Sequence, residues 1–372
     1  MNEIEIRMLY HTYGGDTIKI GFIGPGKVGV SLGRYFTHKG ITLSGFYGRN
    51  IETTIEAVNI TKSKFYDSIQ EIIKDSDILF ITTPDDTISI IDRELSKFDL
   101  NNKSICHTSG SLKSNVLYNA KHSGALIYSI HPIFAFSNKN TDLKELEKIY
   151  FSIEGDVLEN SSLNDNMNED FKAFTVNSLF RSSELKENKI NFNEGNFPVI
   201  NLIKTLENKF FVRNKETSSI YHLANVFISN LTLSLLEIGT SYLRKIGLNE
   251  EDALNAVKPL IQGNIDSIVQ KGFINSLTGP VLRGDITTIE KHISVLEKED
   301  EDLYKILSLN LLKLVALRDN NTNISTNEKV DNLKIRNKKF NSVNQEEENE
   351  LENLLNNSKK HLEIYKLLGG LD

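Results

Sequence analysis

Apolar residues fall first into short, near-continuous runs separated by helical stripes, and past the midpoint into helical stripes almost alone. The runs cover residues 18–23, 41–47, 77–83, 103–107, 125–130 and 150–155. Short stretches this rich in Ile, Leu and Phe read as strands covered on both faces, as in a parallel sheet. Between the first two runs Val28, Leu32 and Phe36 share one helical face, and Ile91 and Leu95 mark another helix after the third run. The alternation predicts an α/β class domain, a doubly wound parallel sheet of Rossmann type, over residues 18–156. Residues 1–17 form a polar N-terminal extension, and 157–196, rich in Asn, Ser, Glu and Lys, read as an insertion or linker.

Periodicity returns at 197–210 as a helix, followed by a short strand at 211–214. From Glu216 to Gly247 the pattern predicts one long helix with Ala224, Phe227, Leu231, Leu235 and Ile238 on one stripe and Ile228, Leu233 and Leu236 off it. A helix apolar on more than one face belongs inside a bundle or in a dimer interface. His222 and Ser229, two turns apart, share a face, with Asn230 displaced by one residue. Another helix at 249–270 contains Pro259, which is expected to kink it or start a new one. Thr278-Gly279-Pro280 reads as a turn, and Asp285 as the cap of a helix carrying Thr288 and His292. Residues 197–318 therefore form an all-α domain. Residues 319–372, a second Asn- and Lys-rich segment and a charged final helix, read as decoration.

The first strand runs into Gly24-Pro25-Gly26-Lys27-Val28-Gly29, and the stripe of the first helix begins there. Gly24 permits the tight turn, Gly26 lets a pyrophosphate approach the backbone, and Gly29 lets helix and strand pack closely. Helix-start amides then hold the phosphate, each terminus effect being modest, ~0.3–1 kcal/mol. A dinucleotide site is the reading of this stretch. At the second strand end an acid favours the ribose hydroxyl of NAD and an arginine the extra phosphate of NADP. Arg49 stands there with no acid beside it, so NADP is expected, with NAD as the alternative.

Composition narrows the partners. The 372-residue chain has a formal net charge of -7, which disfavours a general nucleic-acid partner. No continuous run reaches ~18 apolar residues, and the polar, acidic start does not resemble a signal peptide. A cytoplasmic protein without membrane contact is expected. The single cysteine, Cys106, excludes an internal disulfide, and its apolar setting predicts a buried, inert thiol.

Ligands of open α/β sheets bind beyond the carboxyl ends of the strands. Those ends carry Thr83-Pro84-Asp85-Asp86, His107-Thr108-Ser109-Gly110-Ser111 and His131-Pro132. Thr83, Pro84, Asp85 and His107 join the glycine turn as cofactor-site candidates, although Asp86 also suits the N-cap of the following helix. His131, the first polar residue after its strand, can donate a proton or hydrogen bond to a reduced carbonyl oxygen, work typically contributing ~10²–10⁴ in rate. A structural histidine pinning the turn is the alternative. Arg283 suits bidentate pairing with a substrate carboxylate, or else pairs with Asp285.

Five motifs taken together, GPGKVG, HTSGS, SIHPIFAF, YHLANVFISN and LTGPVLRGDITTIEKH, resemble a family of bacterial Rossmann-like NAD(P)-dependent oxidoreductases. Its C-terminal helical domain is of unknown function, and its kin are pyrroline-5-carboxylate reductases and prephenate dehydrogenases. The resemblance covers residues 18–156 and 197–318. It implies a C-terminal domain like that of 6-phosphogluconate dehydrogenase, a homodimer formed through it, and hydride transfer between NADPH and a small keto or imino acid. Ketopantoate reductase activity is the leading specific expectation, with prephenate dehydrogenase-like or pyrroline-5-carboxylate reductase-like activity as alternatives. Prephenate dehydrogenases carry a similar serine and His-Pro, which implies that Ser109 or Ser111 acts with His131. Here the chain continues Ile133-Phe134-Ala135-Phe136 where small polar residues are usual, a departure from that substrate. Arg283 would hold the carboxylate and Asn230 align the substrate. A protein that binds NADP without turnover is the reading from a different class.

Overall fold

The computed structural model describes residues 18–156, 198–321, 355 and 358–369. The expected insertion at 157–196 and the extension at 1–17 lie outside them, as does most of 322–357. The chain divides into two compact units, residues 1–235 and 236–372.

In the first unit the order is β1 (Lys19–Ile23), α1 (Lys27–His38), β2 (Thr42–Tyr47), α2 (Ile51–Thr61), β3 (Lys64–Tyr66), α3 (Ile69–Asp75), β4 (Ile78–Ile81), α4 (Asp85–Leu95), β5 (Ser104–His107), α5 (Tyr118–His122), β6 (Leu126–Pro132), α6 (Leu143–Leu146), β7 (Tyr150–Gly155), α7 (Pro198–Leu206), β8 (Lys209–Val212) and α8 (Ser218–Val226). The eight strands form one sheet in the order β3-β2-β1-β4-β5-β6-β7-β8. All neighbouring strands are parallel except β6 and β7.

Strand alternation splits the core in two. Ile20, Phe22, Ile78, Phe80, Cys106 and Tyr128 face one side with Val30, Leu32 and Phe36 of α1. Ile23, Leu79, Ile81, Ile105 and Ile127 face the other with Ile72 of α3, Ile88 of α4 and Ala120 of α5. Side chains of successive strand residues point to opposite faces, so each apolar run supplies both cores, and this is why the runs are continuous. Cys106 is fully buried and its thiol pKa is pushed well up by burial, as expected of an inert thiol.

The first unit reaches further than the sequence suggests. The helix expected over 197–210 stops at Leu206, where Glu207 takes a positive φ of 58°, and the following strand begins at Lys209. Val199, Leu202, Ile203 and Leu206 of α7 pack into the α1-side core, and β8 pairs with β7. Asn208 fixes the attachment: its amide donates to Leu146 O (2.8 Å) and Ile149 O (3.0 Å), and its Oδ1 accepts from Tyr35 Oη (2.6 Å). Residues 198–235 thus fall within the first unit.

The long helix is not uniform. A π-turn, Phe227–Leu231, separates α8 from α9 (Thr232–Lys245), and Thr232 Oγ1 donates to Phe227 O five residues back (3.2 Å). The helical stretch Lys215–Lys245 is long and apolar enough to cross a membrane by length and composition. A search for an unbroken apolar run misses it, because His222, Asn225, Ser229 and Asn230 interrupt the run without lowering the average enough.

The second unit continues with α10 (Glu250–Asn275), α11 (Gly279–Arg283), α12 (Ile286–Val295), α13 (Lys298–Asn321) and α14 (Lys359–Leu367). Helical dihedrals run through Pro259 and depart only at Gly272 (φ 74°, ψ 169°), where a residue without Cβ adopts positive φ at little cost. Pro280 sits in the first turn of α11, so the expected turn opens a short helix. Gly284 closes it, and Asp285 caps α12 by accepting from Thr288 N (3.1 Å). The final helix is structural: Ile364, Tyr365 and Leu368 are buried with Val281, Ile289, Leu312 and Val315. Its charged outer face conceals that stripe in the sequence.

The packing is close where α1 crosses the end of β4. A Cβ on Gly29 would stand 2.4 Å from Thr82 Oγ1 and 2.6 Å from Gly24 O, while Thr82 Oγ1 donates to that same carbonyl (2.7 Å). Gly29→Ala is therefore expected to destabilise the first unit by about 1–3 kcal/mol, the usual range for overpacking. Thermal denaturation checks this, and an unchanged melting temperature contradicts the packing described.

Candidate active site

Because β1, β2, β4, β5 and β6 are parallel, their carboxyl ends share one edge of the sheet. There Gly24 turns with φ +109°, and its N–H donates to Tyr47 O (2.9 Å), tying the end of β1 to that of β2. Gly26 is the N-cap of α1 in extended conformation, with no side chain capping the helix and no acid in its first turn. By contrast Asn50, Ser68 and Asp285 cap their own helices. The first amides of a helix lack intrahelical partners, so the α1 terminus offers donors to an anion. Gly26 is exposed, and a Cβ there would meet nothing nearer than Thr82 O at 3.7 Å. Pro25, Lys27 and Val28 complete the turn, Lys27 being exposed. Arg49 is exposed just past β2, and the buried Thr83 Oγ1 has no partner. An open backbone, an uncapped terminus, a nearby cation and an orphaned hydroxyl fit a phosphate-bearing nucleotide.

At the next strand ends, Pro84 takes the N-cap of α4, and Asp85, not Asp86, begins the helix. Asp86 thus lies in the first turn and does not cap it. Asp85 Oδ2 accepts from Ser109 Oγ (2.8 Å) and Ser111 Oγ (2.5 Å), joining the β4 and β5 ends. Ser109 Oγ also accepts from the N–H groups of Ser111 (3.2 Å) and Leu112 (3.1 Å), so Ser109 shapes the loop. Neither serine is hydrogen-bonded to His131, the pairing that the resemblance implies. His107, expected to face the cofactor, is fully buried: Nδ1 accepts from Ser109 N (3.2 Å) and Nε2 lies 3.1 Å from Lys113 O. Burial pulls its pKa down to about 4, and it acts as a neutral brace for the loop.

His131 lies within β6, not after it. The strand runs to Pro132 because His131 and Pro132 pair with Ser152 and Phe151 of the antiparallel β7. Its Nδ1 is 2.5 Å from Tyr221 Oη of α8. Burial first, and then the Arg213 charge, lower its pKa to about 4, so at neutral pH it is an uncharged imidazole and not a standing acid. Gly110 lies against the other ring nitrogen: a Cβ there would be 2.9 Å from Nε2.

Sequence reasoning missed two residues that organise this cluster, Arg213 and Tyr221. The Arg213 side chain is buried, with Nη2 donating to Ser129 Oγ (2.8 Å) and Nη1 to Gly110 O (3.5 Å). Its guanidinium carbon lies 4.8 Å from the Tyr221 ring centroid, a cation–π contact. Ser129 Oγ in turn donates to Ser109 O (3.3 Å). Tyr221 opens the YHLANVFISN motif, and a tyrosine beside the polar residues of that helix was the available signal. Asn230 falls in the exposed π-turn. Arg283 belongs to the second unit, exposed and 3.9 Å from Asp285, which realises the ion pair weighed from the sequence.

Comparison with known proteins agrees with this architecture. Residues 13–132 match the Rossmann-like domain, and residues 194–311 match a domain of unknown function, DUF2520. No curated protein matches the chain. Among solved structures, a Bacteroides fragilis protein provisionally named an NADP oxidoreductase aligns over 79% of this chain and 97% of its own, with 19% identity and a TM-score of 0.55. A Thermotoga maritima protein aligns over 80% and 98%, with 23% identity and a TM-score of 0.54. A 1-pyrroline-5-carboxylate reductase from Streptococcus pyogenes aligns over 81% and 98%, with 14% identity and a TM-score of 0.51. These likenesses are likenesses of fold.

The buried imidazole of His107 and the half-buried one of His131 make stability depend on pH. In the unfolded chain each titrates near 6.5, and in the folded state near 4. Between those values the unfolded state binds more protons, so stability is full above about 6.5 and falls as pH drops towards 4. The melting temperature is expected to decline over that window, and the decline to be shallower in His107→Gln or His131→Gln. Identical slopes in wild type and both variants contradict the neutral, buried assignment.

Proposed function

We propose that this chain, a Rossmann-like domain followed by a DUF2520 domain, is an NADPH-dependent reductase of a small keto or imino acid. The observation that carries the reading is the neutral His131 at the carboxyl edge of the sheet, held at Nδ1 by Tyr221 and bordered at Nε2 by the Gly110 backbone.

The α1 terminus at Gly26 would hold the nucleotide pyrophosphate, and Arg49 the additional phosphate of NADP. The nicotinamide, when bound, supplies the hydride. His131 then acts as an uncharged donor to the oxygen or nitrogen on which negative charge develops. Ser111, on the same loop, adds a polar group beside it. Arg283 is the proposed carboxylate clamp, since a single contact at 3.9 Å leaves most of its fork of donors available. Asn230 is the proposed aligning residue. The exposed Ile220, Leu223, Phe227, Ile228, Leu231 and Leu233 support a second copy of the chain as a partner.

Two substrate classes come first. The resemblance carried by the five motifs together, with Arg49 in agreement, favours a 2-keto acid such as ketopantoate. The fold shared with a pyrroline-5-carboxylate reductase favours a cyclic imino acid.

NADPH consumption with a panel of both classes tests the reading, and no turnover with any of them, at enzyme concentrations that bind the nucleotide, contradicts it. His131→Ala is expected to lower kcat about 10²–10⁴-fold while NADPH binding persists. Arg49→Ala is expected to weaken NADPH binding about tenfold or more, a charged hydrogen bond being worth ~1.5–3 kcal/mol, and to leave NADH binding unchanged. Equal losses for both nucleotides contradict the role given to Arg49.

A further inference from the structure

An imidazole that serves as a donor must carry its proton on the nitrogen facing the substrate, and this is fixed by what the other nitrogen does. In His131 the two nitrogens have different surroundings. Nδ1 is 2.5 Å from Tyr221 Oη. Nε2 is bordered by the backbone of Gly110, where any side chain would come within 2.9 Å of it.

The phenol has reasons to donate. Burial raises its pKa, so it keeps its proton at neutral pH. The Arg213 guanidinium lies over its ring at 4.8 Å and draws electron density from it, which strengthens the O–H as a donor and weakens the oxygen as an acceptor. The buried Ser152 hydroxyl, opposite His131 in the β6–β7 register, forms no hydrogen bond of normal geometry but is close enough to the phenol to lower its pKa. The charged and titratable neighbours of the imidazole are Arg213, His222, Asp85 and His107. None of them is hydrogen-bonded to Nδ1, so the phenol is its partner among the described residues.

Arg213 also holds the far side of the arrangement. It donates to Gly110 O and to Ser129 Oγ, so the residue polarising Tyr221 also fixes the glycine beside Nε2. One buried cation therefore sets the separation between the phenol on one side of the ring and the Gly110 backbone on the other.

We propose that Tyr221 is a positioning residue of the site: its hydroxyl donates to Nδ1 of His131 and holds the imidazole as the Nε2–H tautomer, with Arg213 stacked on the phenol to fix it there. This deepens the reductase reading and rests on it for the catalytic consequence, though the tautomer itself can be read without turnover.

The test is nitrogen NMR on the full chain labelled with 15N-histidine at neutral pH, without nucleotide, with the His131 signals assigned by their loss in His131→Gln. Wild type is expected to show an unprotonated Nδ1 and a protonated Nε2. In Tyr221→Phe that preference is expected to be lost, the two nitrogens moving towards averaged shifts, and kcat to fall while NADPH affinity is kept. A wild-type His131 protonated at Nδ1 overturns the proposal, and this decision needs no variant to fold. An unchanged tautomer in a folded Tyr221→Phe protein overturns it too. If the tautomer behaves as stated but no acid of either class is reduced, the functional reading fails and the positioning stands. If NADPH is consumed but Nδ1 carries the proton, the reverse holds.

Discussion

A guanidinium removed from water must find acceptors inside the protein or cost several kcal/mol. Arg213, on the segment between β8 and α8, meets part of that demand with Gly110 O, Ser129 Oγ and the face of Tyr221, while its buried Nε has no hydrogen-bond partner. Those partners come from the β5 loop, from β6 and from α8, three segments distant in the sequence. Satisfying one buried charge thereby brings the loop, the strand that carries His131 and the helix that carries Tyr221 to a common point. The same charge, added to burial, keeps His131 neutral. The site's geometry and its protonation state share a cause.

The sheet supplies the frame in which this works. Parallel pairing from β3 through β6 gathers the strand ends on one edge, and two apolar layers fix the strands from both faces. The one antiparallel step, β6 to β7, extends the strand past His131 and sets Ser152 opposite it. At the same edge, the uncapped α1 terminus and the hydroxyl cluster around Asp85 stand side by side. One is suited to phosphate, and the other keeps the β5 loop in shape. Anion-binding and chemical functions are thus built from different elements and meet because the strands run the same way.

Much of this was legible in the sequence where the signal was local. Continuous apolar runs marked β1, β2 and β4 to β7 to within a few residues but not the three-residue β3, and the glycine turn announced its own geometry. Cys106 was read correctly from its neighbours alone. What stayed hidden depends on distant partners. Arg213 meets Ser129 and Gly110 across 84 and 103 residues, and nothing in residues 211–214 signals a buried cation. His107 looked like a ligand because a histidine at a strand end can be either brace or binder, and only the closing of the loop decides. The π-turn at Phe227–Leu231 leaves no mark in a pattern read at helical spacing. The final helix was misjudged because its charged residues outnumber the narrow stripe of Ile364, Tyr365 and Leu368 that enters the core.

The central claim is that the carboxyl edge of this sheet holds a nicotinamide dinucleotide with its extra phosphate. Isothermal titration calorimetry of the full chain with NADPH and NADH examines it most directly. Saturable heat at one site per chain, with NADPH bound more tightly than NADH, is the predicted result. No heat with either nucleotide would contradict the account.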